Sequence, residues 1–229
     1  MKTIGLIGGM SWESSAQYYA IINRAVREHL GGAHSAEILL YSVDFGEIER
    51  LQRDGDWSSL TARMANAARR LEAGGADFVL ICSNTMHLMA DDVSAAIGVP
   101  LLHVVDPTAS AIARAGLNRV GLLGTAFTME KTFYRDRLAA AGLETLIPDA
   151  GDRREVHRVI YEELVAGKIA AASRAVYREV IARLVARGAQ AIVLGCTEIM
   201  LLVDQSDGAV PLFDTTSLHA LAAVDLALG

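Results

Sequence analysis

Residues 73–85 read AGGADFVLICSNT, and residues 186–198 read ARGAQAIVLGCTE. Each passes from small residues and glycine through an apolar run into a polar segment, the pattern of a buried parallel strand with its exit loop. Displacing one onto the other by 113 residues (186 − 73) lays Leu71 on Leu184, Ala73 on Ala186, Gly75 on Gly188 and Ala76 on Ala189, with Val79-Leu80-Ile81 on Ile192-Val193-Leu194. In that register Cys82 falls on Gly195, and Ser83 falls on Cys196. A slip of one residue would pair the two cysteines. It would also break the glycine and alanine matches and turn the cysteine to the opposite strand face, because side chains alternate along a strand.

A second match supports the repeat. TIGLIGG (3–9) lies on RVGLLGT (119–125), so each half opens with a strand and a glycine-containing loop ahead of a helix. Further strand-like runs fall at 37–43, 100–105, 190–195 and 210–213, with a weaker one at 144–148. Helical spacing of apolar residues runs over Trp57 to Leu71 and Ala171 to Ala186. Apolar strands alternating with helices predict an α/β fold with mainly parallel sheets in two pseudo-symmetric domains. Each half then carries a polar loop at the carboxyl end of a strand, where open α/β sheets bind ligands.

Composition narrows the function classes. The 229 residues carry a formal charge of −6 and no basic stripe, which argues against nucleic acid or an anionic membrane as partner and favours a small molecule. No segment approaches the ~18 uninterrupted apolar residues of a membrane span, and MKTIGLIGGM does not read as a signal peptide. Two cysteines make no disulfide framework, so a reducing cytoplasmic compartment is expected. The histidines form no ligand cluster with the cysteines, and no Walker or G-x-G-x-x-G pattern occurs; neither a metal nor a cofactor is expected.

GLIGGMSWES (5–14), SNTMH (83–87) and GCTE (195–198), in this order and spacing, resemble the aspartate/glutamate racemase family of cofactor-independent amino-acid racemases, across essentially the whole chain. In that family two facing cysteines, one from each domain, exchange the α-proton on opposite faces of the substrate. Here Ser83 stands in the first cysteine's place, which is similar to a subgroup with a hydroxyl residue there that acts on L-aspartate and L-glutamate. The resemblance implies an active site in the cleft between the domains, a homodimer, and a chain that crosses back after its second domain. The expected division is 1–103 plus 210–229, and 104–209.

The expected catalytic residues are Cys196, as thiolate base, and Ser83, directly or through a water it holds; an aliphatic hydroxyl yields no comparable anion near neutral pH. Cys82 is expected to pack in the core. Expected substrate contacts are Met10, Ser11, Gln52, Arg53, Asn84, Thr85, Thr125, Lys168, Thr197 and Glu198. Gln52 and Arg53 (in ERLQRDGDW) and Lys168 (in VAGKI) match the family's side-chain carboxylate ligands; otherwise they are surface residues. Asn84, Thr85 and Thr197 read equally as helix caps, and Ser11 and Thr125 as N-caps. Glu198 is placed to hold an α-ammonium, yet opposes thiolate formation by like charge. His87, four residues past Ser83, either tunes the site or is structural. Other readings within the same superfamily are an arylmalonate-type decarboxylase or a maleate-type isomerase; a non-catalytic ligand-binding homologue is a further alternative.

Overall fold

The computed structural model describes residues 1–229. In chain order, the first sheet and its helices comprise β1 (Ile4–Gly8), α1 (Trp12–Leu30), β2 (Ile38–Ser42), α2 (Phe45–Asp54), α3 (Trp57–Ala73), β3 (Phe78–Ile81), α4 (Ala90–Ala95) and β4 (Leu101–Leu102). The second group comprises α5 (Val105–Arg114), β5 (Arg119–Gly124), α6 (Ala126–Glu130), α7 (Thr132–Ala140), β6 (Glu144–Leu146), α8 (Ala150–Glu162), α9 (Ala171–Ala186), β7 (Ala191–Gly195), α10 (Ile199–Leu202) and β8 (Leu212–Asp214), leading into α11 (Thr215–Leu228). No helix is long and apolar enough to cross a membrane.

The two sheets share one topology, β2-β1-β3-β4 and β6-β5-β7-β8, parallel throughout. Their ladders also agree residue by residue. Ile4 pairs with Phe78 in the first sheet, and Val120, its counterpart in the TIGLIGG/RVGLLGT match, pairs with Ala191 in the second. Ala191 is Phe78 displaced by the same 113 residues that align the two exit loops. Pseudo-symmetry is therefore a property of the hydrogen-bonded frame.

Alternation along β3 explains its apolar continuity. Phe78, Leu80 and Cys82 face one layer with Tyr18 and Ile22 of α1 and Ala220, Ala223 and Val224 of α11. Val79 and Ile81 face the other, against Leu60, Met64 and Leu71 of α3. With both faces covered no strand position tolerates a polar residue, and each fully buried Ile or Leu contributes roughly 1.5–3 kcal/mol. In β7, Ile192 and Leu194 face a layer that includes Tyr177, Val180, Ile181 and Leu184 of α9, and Cys196 continues that face beyond the strand.

The chain divides into one unit of Met1–Val104 with His219–Gly229 and another of Val105–Leu218. The first crossing falls one residue beyond the expected boundary. The return is the larger correction: residues 210–218, expected with the first domain, belong to the second, because Leu212 and Phe213 pair with Ile192 and Val193 of β7. The last helix does rejoin the first unit, from His219 onward.

Candidate active site

In the first unit, the β1 exit loop is shaped by Gly9, at φ 90°, where a Cβ would collide with the Val43 carbonyl. Its N–H donates to Ser15 Oγ at 2.9 Å, and Ser15 Oγ in turn donates to the Ser11 carbonyl at 2.9 Å. Ser11 is the N-cap of α1, its Oγ accepting from the Ser14 N–H at 3.4 Å. The N-cap reading of Ser11 is thus realised, and Met10 beside it is buried.

The β3 exit separates Cys82 from Ser83 as the repeat register requires. Cys82 is 0% exposed among Ile4, Leu6, Tyr18 and Leu80, and burial drives its thiol far above the ordinary range. Ser83 is 7% exposed, so its residue alone of the pair reaches solvent. The segment then turns into a single 3-10 stretch, Thr85–Met89, with Asn84 and Thr85 buried. Asn84 makes no side-chain cap bond, which removes the capping explanation for it. His87 Nδ1 lies 2.7 Å from the Ser83 carbonyl. From α2, Gln52 is buried and reaches Met86 Sδ at 3.4 Å, whereas Arg53, one residue on, is exposed.

In the second unit, Thr125 caps α6, accepting from the Thr128 N–H at 3.2 Å, as its N-cap reading expects. The next amide, Ala126 N–H, donates to His157 Nδ1 at 3.2 Å. Desolvation, only partly countered by Glu130, lowers the His157 pKa and favours this neutral acceptor. Spacing gave no hint of His157's part, since nothing in a lone helical histidine announces a main-chain partner one helix away.

Cys196 leaves β7 with 6% exposure. Its Sγ donates to Glu198 Oε2 at 3.0 Å, and Thr197 Oγ1 donates to the same oxygen at 2.9 Å. Thr197 therefore serves the Glu198 carboxylate. The helix that follows, α10, is a single turn, and Glu198 at its head makes no side-chain cap bond. Burial raises the thiol pKa well above the usual range; the adjacent Glu198 charge and hydrogen bond raise it further, against smaller help from the Glu198 and Thr197 N–H groups. Burial and Glu198 thus both work against the thiolate that Cys196 needs to act as a base, and a positive substrate group would have to offset them. Tyr177 lies in the same electrostatic neighbourhood, its phenol raised first by burial and then by Cys196 and acidic neighbours, and its hydroxyl donates to the Val156 carbonyl at 3.0 Å. Only the folded packing of α9 reveals this neighbour.

Gly195 explains why the second unit has no cysteine matching Cys82. A Cβ there would sit 2.7 Å from Leu122 Cδ1 and 2.9 Å from the Leu123 carbonyl. Lys168, just past the left-handed Gly167, is exposed. Neither Arg53 nor Lys168 forms an ion pair, although half of this chain's arginines do.

Residues 7–223 match the family described as Asp/Glu/Hydantoin racemase. The chain belongs to that family. This places it among the amino-acid racemases, a class of isomerases. Among relatives of the Asp/Glu/Hydantoin racemase family, the broad specificity amino-acid racemase RacX of Bacillus subtilis (strain 168) is 22% identical over 96% of each chain. A candidate Asp/Glu racemase from Yersinia pestis is 54% identical in sequence, with a TM-score of 0.92 and full coverage of both chains. An aspartate racemase homologue from Pyrococcus horikoshii OT3 is 34% identical, with a TM-score of 0.86 and full coverage of both.

Proposed function

We propose that this protein racemises aspartate or glutamate, with Cys196 and Ser83 addressing opposite faces of the substrate Cα. The observation that carries the reading is the Cys196–Glu198 contact at the β7 exit, with Ser83 at the matching position of the β3 exit in the same strand register. For the L-substrate, the Cys196 proton passes to Glu198 as the substrate's α-ammonium offsets the carboxylate's opposition to the thiolate. The thiolate then takes the α-proton: the Cα–H bond breaks and the S–H bond forms. The carbanion's electron pair accepts a proton on the other face, from Ser83 or a water it orients; solvent replaces that proton, and Glu198 releases the proton it took to solvent, which restores the starting enzyme. Arg53 and Lys168, exposed and without ion pairs, are suited to the carboxylates, Arg53 through a two-pronged contact. Met10, Ser11, Gln52, Asn84, Thr85, Thr125 and Thr197 complete the proposed contacts.

No cofactor enters this scheme, and the protein is proposed to act as a homodimer on a small amino acid. The relative named for broad specificity makes the range of side chains part of the test. Purified protein incubated in deuterated water with each common L- and D-amino acid should place deuterium at Cα of aspartate or glutamate, with activity surviving dialysis against chelator. Cys196→Ala should lower exchange from the L-enantiomer by at least about 10²-fold, the lower range for a positioned acid or base. Undiminished exchange in that variant would exclude Cys196 as the base.

A further inference from the structure

Three histidines of the first unit converge behind the Ser83 loop. His87, His103 and His219 are all buried, with ring centroids 4.4 Å apart for His87 and His103 and 5.8 Å for His87 and His219. They form no group able to hold a metal ion. Their main-chain partners instead define protonation. His87 Nδ1 faces the Ser83 carbonyl at 2.7 Å, and a carbonyl only accepts, so Nδ1 carries the hydrogen. His87 Nε2 accepts the Val104 N–H at 3.2 Å, so Nε2 is bare. The ring is therefore neutral, and a second proton would face Val104 donor to donor. By the same reasoning His219 Nε2 donates to the Leu102 carbonyl at 2.9 Å, while its Nδ1 accepts the Tyr18 hydroxyl at 2.9 Å.

These bonds lie at the two places where the chain changes unit. Val104 is the last residue of the first unit before the crossing, and His219 is the first after the return. At the other end, the Ser83 carbonyl is held by the His87 ring while the His87 N–H bonds the Asn84 carbonyl. One imidazole thus ties the backbone of Ser83 to the residue at the crossing.

We propose that His87 is a positioning residue that fixes the Ser83 backbone, and with it the hydroxyl's aim at Cα, by donating to Ser83 and accepting from Val104. This rests on the racemase reading. Misplacing a reacting group by about 1 Å costs on the order of 10²-fold in rate, so loss of the Nδ1–H···O bond should act selectively on the Ser83 face.

Two conservative variants split the ring's two bonds. His87→Asn keeps an amide donor near Nδ1 and loses the acceptor; His87→Gln keeps an acceptor near Nε2 and loses the donor. Deuterium exchange from the D-enantiomer, whose α-proton lies on the Ser83 side, should fall about 10–100-fold in His87→Gln, with KM moving less than about threefold. His87→Asn should retain most of that exchange, and exchange from the L-enantiomer should be little changed in both. In ligand-free protein, amide hydrogen exchange at Val104 should stay protected in His87→Gln and accelerate in His87→Asn. An equal fall for both enantiomers, or two variants that behave alike, overturns the proposal. If the wild-type protein labels no amino acid, the racemase reading has failed, and the Val104 amide then decides the His87 claim alone: unchanged protection in His87→Asn refutes it.

Discussion

Cys196 Sγ donates to Glu198 Oε2 across 3.0 Å, and both residues are almost closed to solvent. The carboxylate thereby plays two opposed parts: its charge disfavours the thiolate, yet its oxygen is the acceptor placed to take the thiol proton. Burial and Glu198 both raise the Cys196 pKa, so exchange from the L-substrate should climb with pH through the alkaline range. Glu198→Gln removes the like charge and should shift ionisation of the free thiol to lower pH, readable as thiolate ultraviolet absorbance in a Cys82→Ala background. The same variant should bind the substrate ammonium more weakly. An unchanged or higher thiol pKa in Glu198→Gln would show that the carboxylate is not what restrains Cys196.

The proposed carboxylate ligands make a separable claim. Arg53 and Lys168 are exposed and spend no charge on ion pairs. A hydrogen bond to a charged group contributes roughly 1.5–3 kcal/mol, so Arg53→Ala should raise KM about 10–100-fold and leave the melting temperature almost unmoved. Arg53→Lys should recover only part of the loss, because a point charge cannot replace the guanidinium fork. Unaltered kinetics in Arg53→Ala would return the residue to the solvated surface.

Stability should depend on pH through Asp207. Its carboxylate accepts from Arg174 at 2.9 Å and from the Asp204 N–H at 2.9 Å, closing the turn ahead of β8. The Arg174 hydrogen bond, followed by smaller contributions, holds its pKa below the ordinary carboxylate value despite opposing desolvation. A depressed folded pKa means the contribution is complete above about pH 4 and is lost as pH falls through the folded value. Asp207→Asn should therefore lower the melting temperature by about 2–4 °C per kcal/mol lost near neutral pH. The gap between variant and wild type should close in acid; a gap that persists there would assign the effect to packing.

The fold was open to reading because parallel strands covered on both faces must be apolar throughout, and because the Gly75/Gly188 and Ala76/Ala189 matches set one register that the ladders reproduce. Other features had no local signature. The run at 100–105 shrinks to Leu101–Leu102 because the Val104 N–H turns to the His87 ring. Residues 210–213 carried no mark of which sheet they join, since Leu212 suits an apolar ladder in either half. In the site, the residue types at 196 and 83 were legible from the repeat. Of what raises the Cys196 pKa, only the like charge of Glu198 was legible; the larger part, burial, depends on how tightly the fold desolvates the sulfur. The partners of His87 and His157 are main-chain groups brought in by folding, and no spacing rule announces them.

Ser83 and Cys82 give the sharpest test of the register. Cys82 continues the Phe78–Leu80 face into the core and Ser83 turns away from it with residual exposure, so their substitutions should separate stability from chemistry. Cys82→Ala removes a buried sulfur and should cost about 1–2 kcal/mol with exchange rates nearly intact. Ser83→Ala should slow exchange from the D-enantiomer far more than it weakens binding. Ser83→Cys goes further: a thiol, even with burial raising it above the ordinary value near 8.5, supplies far more base at pH 8 than a hydroxyl, so exchange from the D-enantiomer should rise. The equilibrium ratio of enantiomers should stay at its chemical value, since no change in the protein moves it. The larger sulfur must fit where a hydroxyl sat, and for that reason the pair Cys82→Ala and Ser83→Ala is decisive. If Cys82→Ala abolished exchange while Ser83→Ala left both directions untouched, the two cysteines would be the catalytic pair and the register would be wrong.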